Sequence, residues 1–97
     1  MLEISEDLKA KLDYRIFEIV QNSPATEIRA IIITSLPPSS DVINEIQKES
    51  LKIERVFNIM NVVKVRGKAK AIVSLLDKSF VKYIMLEEVI VNTPQLI

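Results

Sequence analysis

The chain contains no cysteine and no histidine, and those absences remove much of the chemistry a small domain can carry. Without cysteine there is no disulfide to hold the fold, no thiol nucleophile, and no basis for reading a redox compartment from thiols. Without histidine the usual general acid or base is gone, and with both missing so are the common ligands of zinc and haem. Tryptophan is also absent, aromatic residues make up only 5%, and there is a single glycine, Gly67. A core must therefore be packed from Ile, Val and Leu. Hydrophobic residues at 48% supply it, and 27% charged residues keep the chain in solution. No apolar run reaches the roughly 18 residues of a membrane-spanning helix. The segment MLEISEDLKAKLDY is charged and lacks the apolar stretch of a signal peptide. The expectation is a soluble, cytoplasmic protein with no membrane partner.

Ninety-seven residues suffice for one domain with one core. The formal net charge is zero, which argues against a general nucleic-acid or acidic-membrane binder. The distribution is nonetheless uneven: Lys64, Arg66, Lys68, Lys70, Lys78 and Lys82 face only Asp77 in the same stretch.

The elements follow from hydrophobic period. Ser5 can cap a helix with Glu6 and Asp7 in its first turn and an apolar stripe of Leu8, Leu12, Ile16, Ile19 and Val20, stopped by Asn22, Ser23 and Pro24. IRAIIIT, residues 28–34, is a β-branched run that suits a central strand. Pro37 and Pro38 break it, and Ser39, Ser40 or Asp41 can cap a helix that turns Val42, Ile43 and Ile46 inward. Ile53 to Phe57 is a second strand with Ile53 and Phe57 set against Glu54, and Asn58 to Asn61 a turn. Val63 and Val65 alternate with Lys64 and Arg66 as on a third strand. After Gly67, Ala69, Ile72, Val73 and Leu76 recur at helical spacing. Beyond Ser79 the period returns to two, with Ile84 and Leu86 on one face of a last strand and Tyr83, Met85 and Glu87 on the other.

The order β, α, β, β, α, β is that of an α+β, ferredoxin-like βαββαβ sandwich: a four-stranded antiparallel sheet with two helices on one face, plus an extra N-terminal helix. The expected organisation is a helical extension over residues 1–26, the main domain over 27–91 and a tail over 92–97. The second sheet face is left for water, the added helix or a partner.

Little in this chain suits catalysis. Ser74 lies four residues from Lys70 and from Lys78, but nothing orients such a pair, and a solvated helix face accounts for it. Glu87 and Glu88 are neighbours on a strand and are expected on opposite faces, which excludes joint metal binding or acid–base work. KVRGKAK sets cations about a glycine at the start of a helix, where backbone amides can hold a phosphate, but the GxxxxGK[ST] loop is absent. RNA recognition on the central strands would need aromatic residues there, and none is present. The chain is read as a non-enzyme without cofactor or metal.

Residues 28–91 resemble the propeptide-like inhibitors of subtilisin proteases, a family that includes both propeptides and free-standing cytoplasmic inhibitors. IRAIIIT is similar to the family's opening strand, VFNIMNVVKVRGKAKAIVSLL to its strand, glycine and alanine-containing helix, and SFVKYIMLEEV to its closing strand. The resemblance implies that the open sheet face packs on two helices of a subtilisin-like serine protease. Acids at alternate positions of the closing strand cap those helices, and the following tail lies in the active-site cleft as a substrate does. The positions carried over are Tyr83, Met85 and Glu87 on the strand, and Val89, Ile90, Val91, Asn92, Thr93 and Pro94 beyond it. Glu87 stands at the second acidic position, but Met85 occupies the first, so one cap is missing. The N-terminal helix is a further departure.

Two readings therefore compete. One is an inhibitor or folding assistant of a subtilisin-like protease. The other is a ferredoxin-like structural or regulatory module that homodimerises with Tyr83, Met85 and the N-terminal helix between copies. Nucleic-acid binding by Lys64, Arg66, Lys68 and Lys70 is a distant third.

Overall fold

The computed structural model describes residues 4–91. Its elements are α1 (Glu6–Lys9), α2 (Tyr14–Asn22), β1 (Glu27–Thr34), α3 (Ser40–Gln47), β2 (Lys52–Phe57), β3 (Val62–Lys68), α4 (Ala69–Val73), a 3-10 turn (Ser74–Asp77) and β4 (Val81–Val89). The four strands form one antiparallel sheet in the order β2-β3-β1-β4. Both β1 and β3 are therefore central, and β2 and β4 are edges. This is the α+β, ferredoxin-like architecture expected from the order of elements.

The alternation of β1 decides what each face holds. Ile28, Ala30, Ile32 and Thr34 are buried, whereas Arg29, Ile31 and Ile33 are only half-buried. Register extends this across the sheet: Ala30 lies between Val65 and Leu86, and Ile32 between Val63 and Ile84. Beneath that face, α4 lies against β1 and β3, α3 against β2, and α2 against α4 and β4. Ile16 and Val20 of α2, Ile46 of α3 and Ile72 of α4 share one core with the inward strand residues. The extra helix thus joins the crossover helices rather than covering the opposite face, and the reading that sets it between two copies on the open face is lost.

The N-terminal segment departs from the single helix expected of it. Ser5 does cap α1, its Oγ accepting from the Leu8 amide at 3.3 Å. The helix then stops, and residues 11–13 run beside the outer edge of β4. The Asp13 amide donates to the Ile84 carbonyl at 2.8 Å, and the Ile84 amide to the Lys11 carbonyl at 2.8 Å. An edge strand presents backbone groups that need partners, and this short parallel bridge meets them at the cost of one helical turn. Leu12 and Ile16 remain buried, so the i, i+4 stripe survives the break that it conceals.

Asp13 then restarts the helix as the N-cap of α2. Its Oδ1 accepts from the Arg15 amide at 3.0 Å, and its Oδ2 accepts from the Leu86 amide of β4 at 2.9 Å and from Arg15 Nη2 at 2.7 Å. One carboxylate therefore caps a helix, satisfies a strand edge and holds a guanidinium.

Gly67 is not at a helix start, as expected, but inside β3, opposite Ile28. Its role is close approach: a Cβ built there would stand 2.4 Å from Leu51 Cδ2. The first amides of α4, at Ala69 and Lys70, donate to the carbonyls of Thr26 and Pro24 at 2.8 and 3.0 Å. The phosphate cradle weighed from KVRGKAK is thereby excluded.

Candidate protein-binding face

The open face is built by the residues that alternate with the core. In register along it, Ile33 lies between Val62 and Tyr83, Ile31 between Lys64 and Met85, and Arg29 between Arg66 and Glu88. It divides into an apolar half near the β2–β3 turn and a charged half near the end of β4. Tyr83 is half-buried, as are Ile31, Ile33 and Val62, whereas Met85 is 36% exposed. The apolar half runs on to the turn, where Ile59 is fully exposed and Met60 is 65% exposed.

Two of the three register shifts in the sheet shape this face. One falls between Ile53 and Arg55 of β2, so that Ile53 and Val56 both point to the core and Phe57, paired with Val62, turns outward. The expectation that Ile53 and Phe57 share a face is corrected by that extra residue. Arg55 lies 4.9 Å from the Phe57 ring centroid, a cation–π contact.

The second bulge lies between the pairs Arg29–Glu88 and Ala30–Leu86 and makes Glu87 the unpaired residue. Strict alternation places Glu87 and Glu88 on opposite faces; the bulge brings both to the open one. Glu87 pairs with Lys64 at 2.8 Å across β1, and Glu88 pairs with Arg29. Arg29 also holds Glu54 at 3.0 Å, and Arg66 holds Glu27. The Arg29 guanidinium has its pKa raised by hydrogen bonds to Glu54 and then Glu88. Each acid on this half has a base beside it, so the face carries little unbalanced charge.

The tail positions divide at the limit of the described residues. Val89 ends β4 opposite Ile28, and the Ile90 amide donates to the Glu27 carbonyl at 2.9 Å, so the pairing runs one residue past the strand. Val91 follows at 72% exposed. Asn92, Thr93 and Pro94 lie outside the described residues. Ile31, Ile33 and Val62 belong to the face although the sequence does not mark them, because an unbroken apolar strand does not say which of its sides is covered. Ile59 and Met60 lie in the Asn58–Asn61 turn, whose pattern carries no sign of a binding surface.

The Ser74 hydroxyl, weighed above as a nucleophile, accompanies Glu49 at 2.8 Å and the Ala71 carbonyl rather than a lysine. Lys78 is engaged by Glu45 at 3.3 Å. Among the described residues no group of three or more acidic side chains is placed to hold a metal ion, and no helix is long and apolar enough to cross a membrane. Neither a scan against protein-family models nor a search of curated proteins finds a match to this chain.

Proposed function

We propose that this chain is a cytoplasmic binding protein rather than an enzyme, and that its open sheet face and the segment after β4 engage a subtilisin-like serine protease as an inhibitor or folding assistant. The observation that supports this reading is the uncovered strip Ile31, Tyr83 and Met85. Through Ile33 and Val62 it approaches the β2–β3 turn that exposes Met60 and Ile59, and Tyr83 and Met85 lie on the strand whose end runs on into an exposed Val91. A half-exposed apolar strip flanked by neutralised charges is a surface suited to a partner. An extended segment leaving a strand suits main-chain pairing in a cleft.

A second reading, homodimerisation through the same face, draws support from Glu87 and Met85. Glu87 is already held by Lys64, so it is not free to cap a partner's helix, and the other acidic position is the apolar Met85. One substitution separates the two. Met85→Glu supplies the missing acid: it should strengthen inhibition of a subtilisin under the first reading. Under the second it should convert a dimer, seen by light scattering across concentration, into a monomer. A monomeric wild-type protein that inhibits no subtilisin, with Met85→Glu changing neither property, would remove both.

A further inference from the structure

Most basic side chains of this protein are engaged. Arg15, Arg29, Lys48, Lys64, Arg66 and Lys78 pair with carboxylates, as does Lys9. Lys11 donates to the Leu76 carbonyl, and Arg55 lies on Phe57. Of the 13 lysines and arginines, only Lys52, Lys68, Lys70 and Lys82 have no such partner among the described residues. Three of these four, Lys52, Lys68 and Lys70, line one cleft of about 790 Å³ where the start of β2 and the end of β3 meet the start of α4. Of the acids at its wall, Glu27 pairs with Arg66, and Glu49 accepts from the Ser74 hydroxyl and lies 4.0 Å from Lys78, so neither forms an ion pair with these three lysines.

We propose that this cleft binds a compact polyanion of the diphosphate type. Lys52, Lys68, Lys70 and Arg66 against Glu27 and Glu49 leave the cleft with a formal excess of two positive charges, and a ligand carrying more than one negative charge balances that excess where a single carboxylate would not. Lysine suits phosphate as a point charge that needs no planar fork. The cleft lacks any aromatic side chain, so recognition falls on the diphosphate and not on a base. The amides of Ala69 and Lys70 are already bonded, which leaves the side chains to do the binding. Lys64 and Arg66, the other half of the basic stretch, are held by Glu87 and Glu27, so the free charge forms a cluster rather than a track for a nucleic-acid strand.

The test is calorimetric titration of the full chain with sodium pyrophosphate, ADP and a short single-stranded oligonucleotide. Pyrophosphate should bind, and about threefold more salt should weaken it severalfold, because exposed charges are screened over about 10 Å at 0.1 M. Lys68→Gln and Lys70→Gln should each weaken binding by about 5–10-fold, the loss of one charge-assisted contact. Lys82→Gln, an unpaired lysine that does not line the cleft, should leave affinity within about twofold, since it tests charge number alone. Equal affinity for pyrophosphate and ADP supports recognition of the diphosphate alone, and tighter ADP binding identifies a nucleotide as the source of the same group. Absence of pyrophosphate binding, equal losses in Lys82→Gln and Lys68→Gln, or binding of the oligonucleotide alone would overturn the proposal.

Discussion

Replacing Asp13 by alanine should destabilise this protein more than any other change at a charged residue. Its carboxyl is lowered from 3.8 to about 2, chiefly by its hydrogen bond from the Arg15 side chain. Burial works in the opposite direction, and the amides of Leu86 and Arg15 add to the lowering. A carboxyl lowered to that extent contributes about 2.5 kcal/mol at neutral pH. The Arg15 side chain is 63% exposed, and solvent around it reduces the contribution to about 1–2 kcal/mol. Alanine also removes the acceptor of the Leu86 amide at the β4 edge, so the whole loss should be about 2–3 kcal/mol. Asparagine retains an acceptor for the cap and should cost about 1–2 kcal/mol. The pH dependence has a definite sign. Because the folded-state value lies below the unfolded one, the stabilisation is complete well above 3.8 and drains away as pH falls through about 2. Urea unfolding followed by circular dichroism should therefore show the gap between the wild-type protein and Asp13→Asn shrinking over that acid range. A loss in Asp13→Ala within about 0.5 kcal/mol, as for an ordinary surface change, would refute the reasoning. So would a gap that stays constant into acid.

Three further outcomes are expected. Ile72 is fully buried under the central strands, and Ile72→Ala should cost about 2–5 kcal/mol in denaturant unfolding through lost burial and the cavity left behind. Gly67→Ala forces the buried Leu51 side chain to move and should cost about 1–3 kcal/mol by overpacking; an unchanged melting temperature would show that Leu51 has room to rotate. Lys64 and Glu87 are about one-third exposed, so Glu87→Gln should change stability by no more than about 1 kcal/mol in the same denaturant unfolding.

The elements of this fold were largely legible in the chain itself. The β-branched run of β1, the prolines after it, the serine cap of α3 and the two changes of period between Val62 and Glu87 give the order of strands and helices. That order with right-handed crossovers confines the sheet topology to few choices. The inward residues Ile32, Val65, Ile72 and Ile84 follow from the same periods, and all are buried. Local period arises from side-chain direction along the backbone, and each element carries it alone.

Tertiary structure alone decided whatever depended on a neighbour. The i, i+4 spacing of Leu8, Leu12 and Ile16 cannot show that a strand edge draws residues 11–13 out of the helix, because these side chains pack on the core with or without the break. Nor can it show that α2 packs beside α4 rather than across the open face. A single inserted residue has no mark in the alternation of charged and apolar positions, so the bulges at Glu54 and Glu87 stayed hidden. The bulge at Glu87 brings two carboxylates to one face, where Lys64 and Arg29 meet them from other strands. Gly67 likewise suggests a turn from its neighbours, whereas its place in β3 is set by Leu51, sixteen positions away in the chain. Pairing between strands is a long-range property, and it determined which charges on this protein are neutralised and which are left free.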